Sequence, residues 1–342
     1  MRRNRIINKH KTIIKQNHAK REETIIISPL NFKVYAKIIT MLKALIKTMR
    51  PRQWTKNAFV LAAVVFDRQL SISNPAPLLR SLAGVLLFCL LSSTIYIIND
   101  LVDVEADRQH PIKRDRPIAS GKLPIPIAIG AAAALLVITL PLAYLLSPGF
   151  FLIGVAYFTI NLAYSNWLKH IALVDVLILA SGFVLRVGAG VMIIEVDRFS
   201  PWLYVVMTLG ALYIGFGKRR AELTLLENEA GTHRKVLDGY NLPLLDQLIT
   251  VVSSCTIITY SLYTFSAPNL PENHAMMFTI PFVLYGVFRY LWLIQVKREG
   301  GAPEELLLTD RPLQAAILLW GLSIFIIFYI LPHYNPTMLP GG

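Results

Sequence analysis

Charge is scarce in this chain. Only 16% of its 342 residues are Asp, Glu, Lys or Arg, where a soluble domain ordinarily carries about 25%. Acidic residues are scarcer still, 21 against 34 basic ones, for a formal net charge of +13. Cysteine is nearly absent. Cys89 and Cys255 both lie inside apolar runs, away from any metal-ligand spacing. That excludes a disulfide framework and a zinc site, and leaves the two as core or lipid-facing residues. Residues 1–33 hold no apolar stretch long enough for a signal peptide. A basic soluble protein would point to nucleic acid. Here the basic residues flank apolar blocks, so no nucleic-acid partner is expected, and the charge reads as membrane topology plus attraction to anionic headgroups.

Hydrophobic residues fill what charge leaves: 54% of the chain, with a mean hydropathy of +0.52. They fall into nine blocks, at roughly 55–67, 80–98, 124–146, 149–166, 171–194, 201–217, 243–266, 275–296 and 312–331. About 20 apolar residues at 1.5 Å each cross a bilayer, and a helix satisfies its own backbone hydrogen bonds there. The third and fourth blocks are separated only by Ser147-Pro148, and Pro148-Gly149 predicts a tight turn between two helices. The expected fold is all-α: a polytopic bundle of nine transmembrane helices around a central cavity. With the N-terminus placed inside, 29 of the basic residues fall in inside segments and three, Arg68, Arg80 and Arg198, fall outside. That split agrees with a cytoplasmic N-terminus and an outside C-terminus in the cell (plasma) membrane. Residues 1–33 read as a basic, disordered extension and 34–53 as an amphipathic interfacial helix. The nine-helix domain spans 54–331, and 332–342 form a short outside tail. In the interfacial helix Lys33, Lys37, Lys43 and Lys47 lie within about 120° on a helical wheel, against Ile38, Leu42, Leu45 and Ile46.

The chemistry is concentrated where the second block ends. At 100° per residue Asn99, Asp100, Asp103 and Asp107 lie within about a 100° arc. Three carboxylates at this spacing repel unless something neutralises them. Mg²⁺ suits them, being a hard ion held by a few carboxylates plus substrate phosphates, and oxygen-only ligands argue against zinc or copper. The plain alternative is a solvated helix end paired with Arg108, Lys113 and Arg114. Charge at a membrane boundary costs kilocalories and tends to mark function, which favours the metal. Downstream, His110-Pro111, Lys113-Arg114 and Arg116-Pro117 supply cations for phosphate oxygens.

Asn99-Asp100-x-x-Asp103-x-x-x-Asp107 followed by His110-Pro111-x-Lys113-x-x-Arg116-Pro117 resembles the first motif of the UbiA superfamily of intramembrane prenyltransferases. The resemblance covers about residues 45–331. It implies nine helices and a Mg²⁺-diphosphate site over a central cavity, with Asp100, Asp103 and Asp107 catalytic and Asn99 joining them as metal ligands. A typical member carries a second aspartate-rich motif after the sixth helix. Here Gly217-Lys218-Arg219-Arg220-Ala221-Glu222-Leu223 stands in its place, three cations and one glutamate. That departure is similar to the branch whose members transfer phosphoribosyl groups to decaprenyl phosphate. So are Arg50-Pro51-Arg52-Gln53-Trp54-Thr55-Lys56-Asn57, Tyr164-Ser165-x-x-Leu168-Lys169-His170 with Asp175, Leu185-Arg186-x-x-Ala189-Gly190, and Asp310-Arg311-x-x-Gln314.

The branch implies a polyprenyl phosphate acceptor and a phosphoribosyl pyrophosphate donor, with product destined for cell-wall glycan precursors. Substrate contacts are expected from Lys56, Asn57, Lys113, Arg116, Tyr164, Lys169, Arg186, Lys218, Arg219 and Glu222. Arg186, deep in an apolar helix, is expected to pair with an anion, either Asp175 or substrate. Arg289, nearer a helix end, is expected to snorkel. A homo-oligomer is compatible with the sequence and not required by it. Two other functions stay open. One is transfer of a prenyl chain from its diphosphate to an aromatic acceptor, which the cations at 218–220 disfavour. The other is transport of phosphorylated small molecules, which an Asp cluster at the membrane surface rather than the midplane disfavours.

Overall fold

The computed structural model describes residues 29–111, 113–196, 200–228, 235–267, 270–298, 306–307 and 309–334. Among them no strand occurs; every regular element is helical. Helix α1 (Pro29–Thr48) ends where Thr48 bonds back to the Ala44 carbonyl at 2.9 Å and Arg50 turns left-handed at φ 53°. Pro51 then opens a 3-10 stretch, Pro51–Leu61, that runs into the five-residue α2 (Ala62–Phe66). The remaining helices are α3 (Ala76–Val102), α4 (Val104–Gln109), α5 (Ile125–Leu146), α6 (Pro148–Asn166), α7 (Val174–Val191), α8 (Pro201–Asn228), α9 (Leu242–Ser266), α10 (Ile280–Gln295), α11 (Arg311–Phe325) and, after a π turn, α12 (Leu331–Tyr334).

Among the described residues seven helical segments are long and apolar enough to cross a bilayer: α3, α5, α6, α7, α9, Ala275–Gln295 and Arg311–Ile330. The block expected at 55–67 is not an ordinary helix. It is split between the 3-10 stretch and α2, and the 3-10 rise of about 2 Å per residue lets the short segment Pro51–Phe66 reach roughly 30 Å. The sixth block forms the first half of α8, where Pro201, Trp202 and Tyr204 dilute the hydropathy of a run that ends at Lys218. Between α5 and α6, Ser147 takes the N-cap and accepts from the Phe150 amide. This is the turn expected there.

The outer surface of the bundle is apolar. Leu86, Val137, Leu145, Leu152, Ile258, Phe278, Phe288 and Leu318 are all well exposed. Water would penalise such a belt and hydrocarbon would not: this is a multi-pass membrane protein. Inside, one core joins the 3-10 stretch to α3, α6 and α7 through Val60, Phe88, Phe150, Tyr157 and Ala189. A second joins α7 to α8, α9 and α10 through Val176, Tyr213, Leu245 and Tyr290. Gly190 permits the closest approach, because a Cβ there would stand 2.1 Å from the Val60 carbonyl oxygen. Along α1, Ala44 and Thr48 face the bundle, while Tyr35, Ile38, Leu42 and Ile46 are exposed.

Candidate active site

The aspartates gather at one end of the bundle, but not on one helix. The α-helix α3 stops at Val102, Asp103 breaks the geometry at φ −88°, ψ 6°, and Asp107 sits on the separate α4. Asp100 and Asp107 are each 3% exposed. Buried carboxylates need partners, and two arginines supply them. Arg50 Nη2 donates to Asp100 at 2.6 Å. Arg116 Nη1 donates to Asp107 at 2.7 Å and reaches Asp100 at 3.2 Å. Lys169 Nζ donates to Asp103 at 3.3 Å. The Ser165 hydroxyl donates to the Asn99 amide oxygen at 2.6 Å. Arg50 is further fixed over the Tyr96 ring, 4.8 Å from its centroid. His110 stays a loop residue whose Nδ1 accepts from the Lys113 amide at 3.3 Å.

The cationic segment of α8 corrects an expectation. Arg219 is 1% exposed and not open to a phosphate. Its Nε donates to Asp175 at 2.6 Å, and its Nη1 bonds Glu222. Asp175, fully buried, also accepts from the Tyr240 hydroxyl at 2.7 Å. Burial first, and then the bond to Asp175, push the Tyr240 phenol above its ordinary pKa, with the bond from the Leu173 amide opposing. Arg220 pairs with Asp246 at 2.6 Å. Lys218 is half-buried beside them, and Tyr164 lies close enough to Arg219 to interact with its charge.

Arg186 and Asn57 do not join the aspartates. Arg186 Nε donates to Asn57 at 2.8 Å, Nη1 to the Gly182 carbonyl at 2.7 Å and Nη2 to the Tyr157 hydroxyl at 2.7 Å. Asn57 in turn reaches Cys89 and Ser92, each at 3.2 Å. Cys89 precedes Asp100 by 11 residues on α3, roughly 16 Å along the axis. One diphosphate cannot touch both places. Within the protein Arg186 is served by neutral oxygens and by the faces of Tyr157, Phe183 and Phe88, 4.8, 5.7 and 6.0 Å away. Asp175, the carboxylate considered for it, belongs to Arg219. Arg289 does not merely snorkel: it grips Asp310 at 2.8 and 3.2 Å and stacks 4.4 Å from the Trp292 ring.

A profile of the UbiA prenyltransferase family matches residues 58–308. The chain belongs to that family. It is 35% identical over 295 residues to a decaprenyl-phosphate phosphoribosyltransferase of Corynebacterium glutamicum, a match covering 85% of this chain and 88% of that one. It is 34% identical over 285 residues to one from Mycobacterium tuberculosis, covering 82% and 92%. In fold it is similar to a UbiA homologue from Archaeoglobus fulgidus solved with GPP and Mg²⁺. That likeness has a TM-score of 0.62 at 19% identity, across 84% of this chain and all of the other. This UbiA-family chain is thus a membrane-embedded transferase.

Its donor set can be weighed for Mg²⁺. Among the described residues no three His, Cys, Asp or Glu side chains surround one point. Asp100 and Asp107 nonetheless converge on one cationic nitrogen, Arg116 Nη1, at 3.2 and 2.7 Å. With the Asn99 amide and Asp103 nearby, every donor is a hard oxygen, which fits Mg²⁺ completed by substrate phosphates. Sequence reasoning left Arg50, Ser165 and Tyr240 out of the site. Arg50 and Ser165 carried a signal in the motifs before Pro51 and after Tyr164; Tyr240 carried none, being an ordinary polar residue until the fold pairs it. Of the other expected contacts in this UbiA-family chain, Lys113 is exposed on the turn Lys113–Asp115, and Lys56 is half-buried beside Asn57.

Proposed function

We propose that this protein transfers the 5-phosphoribosyl group of phosphoribosyl pyrophosphate to a polyprenyl, decaprenyl-type phosphate, releasing pyrophosphate. The observation that carries the reading is the pairing of Asp100 and Asp107 with Arg116, across from an α8 segment that holds cations where a second aspartate motif would otherwise stand. The named activity of the relatives from Corynebacterium glutamicum and Mycobacterium tuberculosis supports it. On this reading nine crossings arise when Pro51–Phe66 and α8 are added to the seven. The 29-to-3 distribution of basic residues supports a site on the cytoplasmic face of the plasma membrane, with the product feeding cell-wall glycan synthesis.

The acceptor's phosphate oxygen attacks ribose C1 as the bond from C1 to the pyrophosphate oxygen breaks. The acceptor is already ionised, so no strong general base is needed. The difficulty is to bring two polyanions together through an oxocarbenium-like transition state. Arg50, Arg116 and Lys169 counter that repulsion, and each can pass from a carboxylate to a phosphate oxygen without leaving the site. Lys113 and Lys218 add cations from opposite sides. Asn99, Asp100, Asp103 and Asp107 would hold Mg²⁺, which when bound neutralises pyrophosphate charge.

The prenyl chain takes an apolar cavity of about 290 Å³ lined by Phe59, Phe183, Tyr213, Gly286, Ala316 and Trp320. Arg186, behind Phe183, fixes that wall rather than touching the donor.

Purified protein with radiolabelled phosphoribosyl pyrophosphate, decaprenyl phosphate and Mg²⁺ should move label into the lipid fraction. No label there refutes the proposal. Transfer unchanged by Asp103→Ala and by Asp107→Asn would refute the metal assignment. Consumption of a prenyl diphosphate instead would favour prenyl transfer.

A further inference from the structure

The turn joining α6 to α7 carries Lys169 at one end and meets the segment after α8 at the other. Its 3-10 piece, Leu168–His170, is followed by Ile171, Ala172 and Leu173. Leu173 stands at φ 68°, ψ −46°, a conformation a leucine holds only when its surroundings impose it. Two contacts from the segment 235–240 do so. The Leu173 amide donates to the Tyr240 hydroxyl at 2.6 Å, and that hydroxyl donates onward to Asp175 at 2.7 Å. Gly239 lies against Ala172 so closely that a Cβ on it would be 2.6 Å from the Ala172 Cβ. The turn is stiff between its ends, since Ile171 N bonds the Leu168 carbonyl at 3.2 Å and Asp175 N bonds the Ile171 carbonyl at 3.0 Å.

We propose that the segment 235–240 is a clamp and that Tyr240 is a positioning residue, setting Lys169 over the aspartate cluster. Its hydroxyl holds the strained Leu173 and the buried Asp175 at once. Asp175 is in turn locked to Arg219 on α8. The clamp therefore links the anionic half of the site to the cationic half through one phenol, and Lys169, at 3.3 Å from Asp103, is where that link reaches the chemistry. A tyrosine that only filled space would need no hydroxyl partner on each side.

The inference rests on the proposed transfer, so two readouts are needed. In the label-transfer assay Tyr240→Phe should lower kcat/KM for phosphoribosyl pyrophosphate about tenfold or more, the worth of one hydrogen bond to a charged group. In a Lys169→Met background the same change should cost no more than about threefold, because the residue it positions is gone. Gly239→Ala, which pushes the segment off Ala172, should show the same non-additivity. Equal losses in both backgrounds, or a Tyr240→Phe enzyme indistinguishable from wild type, overturn the clamp.

The second readout needs no activity. An Asp103→Cys/Lys169→Cys pair should cross-link with a short bismaleimide, and adding Tyr240→Phe should lower the yield severalfold. An unchanged yield overturns the clamp even if wild type transfers no label, an outcome that would defeat only the transfer reading.

Discussion

Replacing Arg219 by leucine separates two roles that cationic residues of α8 can play. Arg219 is 1% exposed and Asp175 fully buried, and the pair spans α7 and α8 at 2.6 Å. In Arg219→Leu, Asp175 keeps only the Tyr240 hydroxyl, while Glu222, partly exposed, can turn to water. Breaking a buried pair by removing one partner costs about 3–5 kcal/mol, whereas replacing both partners with apolar side chains is often close to neutral. At about 1.4 kcal/mol per decade, the single variant should lose between two and four orders of magnitude in its folded-to-unfolded ratio. The double variant Asp175→Leu/Arg219→Leu should recover most of that loss. Thermal unfolding in detergent, compared across wild type, single and double variants, reads the difference without any substrate. Suppose instead that Arg219→Leu melts with wild type and loses only its affinity for phosphoribosyl pyrophosphate. Then Arg219 is a phosphate ligand, and the assignment of its charge to Asp175 fails.

Three further predictions follow from the packing and the rim of the cavity. Gly190→Ala places a methyl 2.1 Å from the Val60 carbonyl oxygen, a backbone atom that cannot rotate away. It should cost about 1–3 kcal/mol or more by overpacking and lower the melting point, whereas Gly210→Ala, whose Cβ meets nothing within 4 Å, should not. Gly286→Leu fills the cavity opposite Leu313 and should raise KM for the polyprenyl acceptor severalfold while leaving that for the donor alone; the reverse pattern refutes the cavity assignment. The hydrogen bond from Arg289 holds the Asp310 carboxyl below its usual range, helped by the Leu313 amide and by the charge of Arg289 against a smaller opposing effect of burial. A depressed folded pKa stabilises above the unfolded value, near about 4, and the gain is lost as pH falls through the folded value. Asp310→Asn keeps the cap on the Leu313 amide, so its stability deficit should be constant at neutral pH, begin to shrink as pH falls through about 4 and vanish only below the depressed folded value. A deficit that persists in acid would show that the charge is not what matters.

The architecture was legible where it depended on composition. Apolar blocks and the break at Ser147-Pro148 are local properties, and most of the helices follow them. The aspartates were legible too, because carboxylates beside an apolar helix have few cheap explanations. What could not be read was which charge meets which. Lys218, Arg219 and Arg220 are equivalent in sequence, yet successive residues point about 100° apart on a helix. That rotation sends Arg219 to Asp175, Arg220 to Asp246, and leaves Lys218 beside them. Arg186 illustrates the opposite limit: it is buried within α7, and a buried guanidinium has five donors, which within the protein meet three neutral acceptors and three aromatic faces. The 3-10 geometry of Pro51–Leu61 had no sequence signature beyond Pro51, and the close approach of Gly190 to Val60 that accompanies it is a tertiary contact. The site therefore reads as two kinds of cation. Arg219 and Arg220 are consumed by carboxylates of the scaffold, Arg219 with no path to solvent. Arg50, Arg116 and Lys169 sit on the very carboxylates proposed to take a metal, and so are the cations a polyanionic donor can recruit.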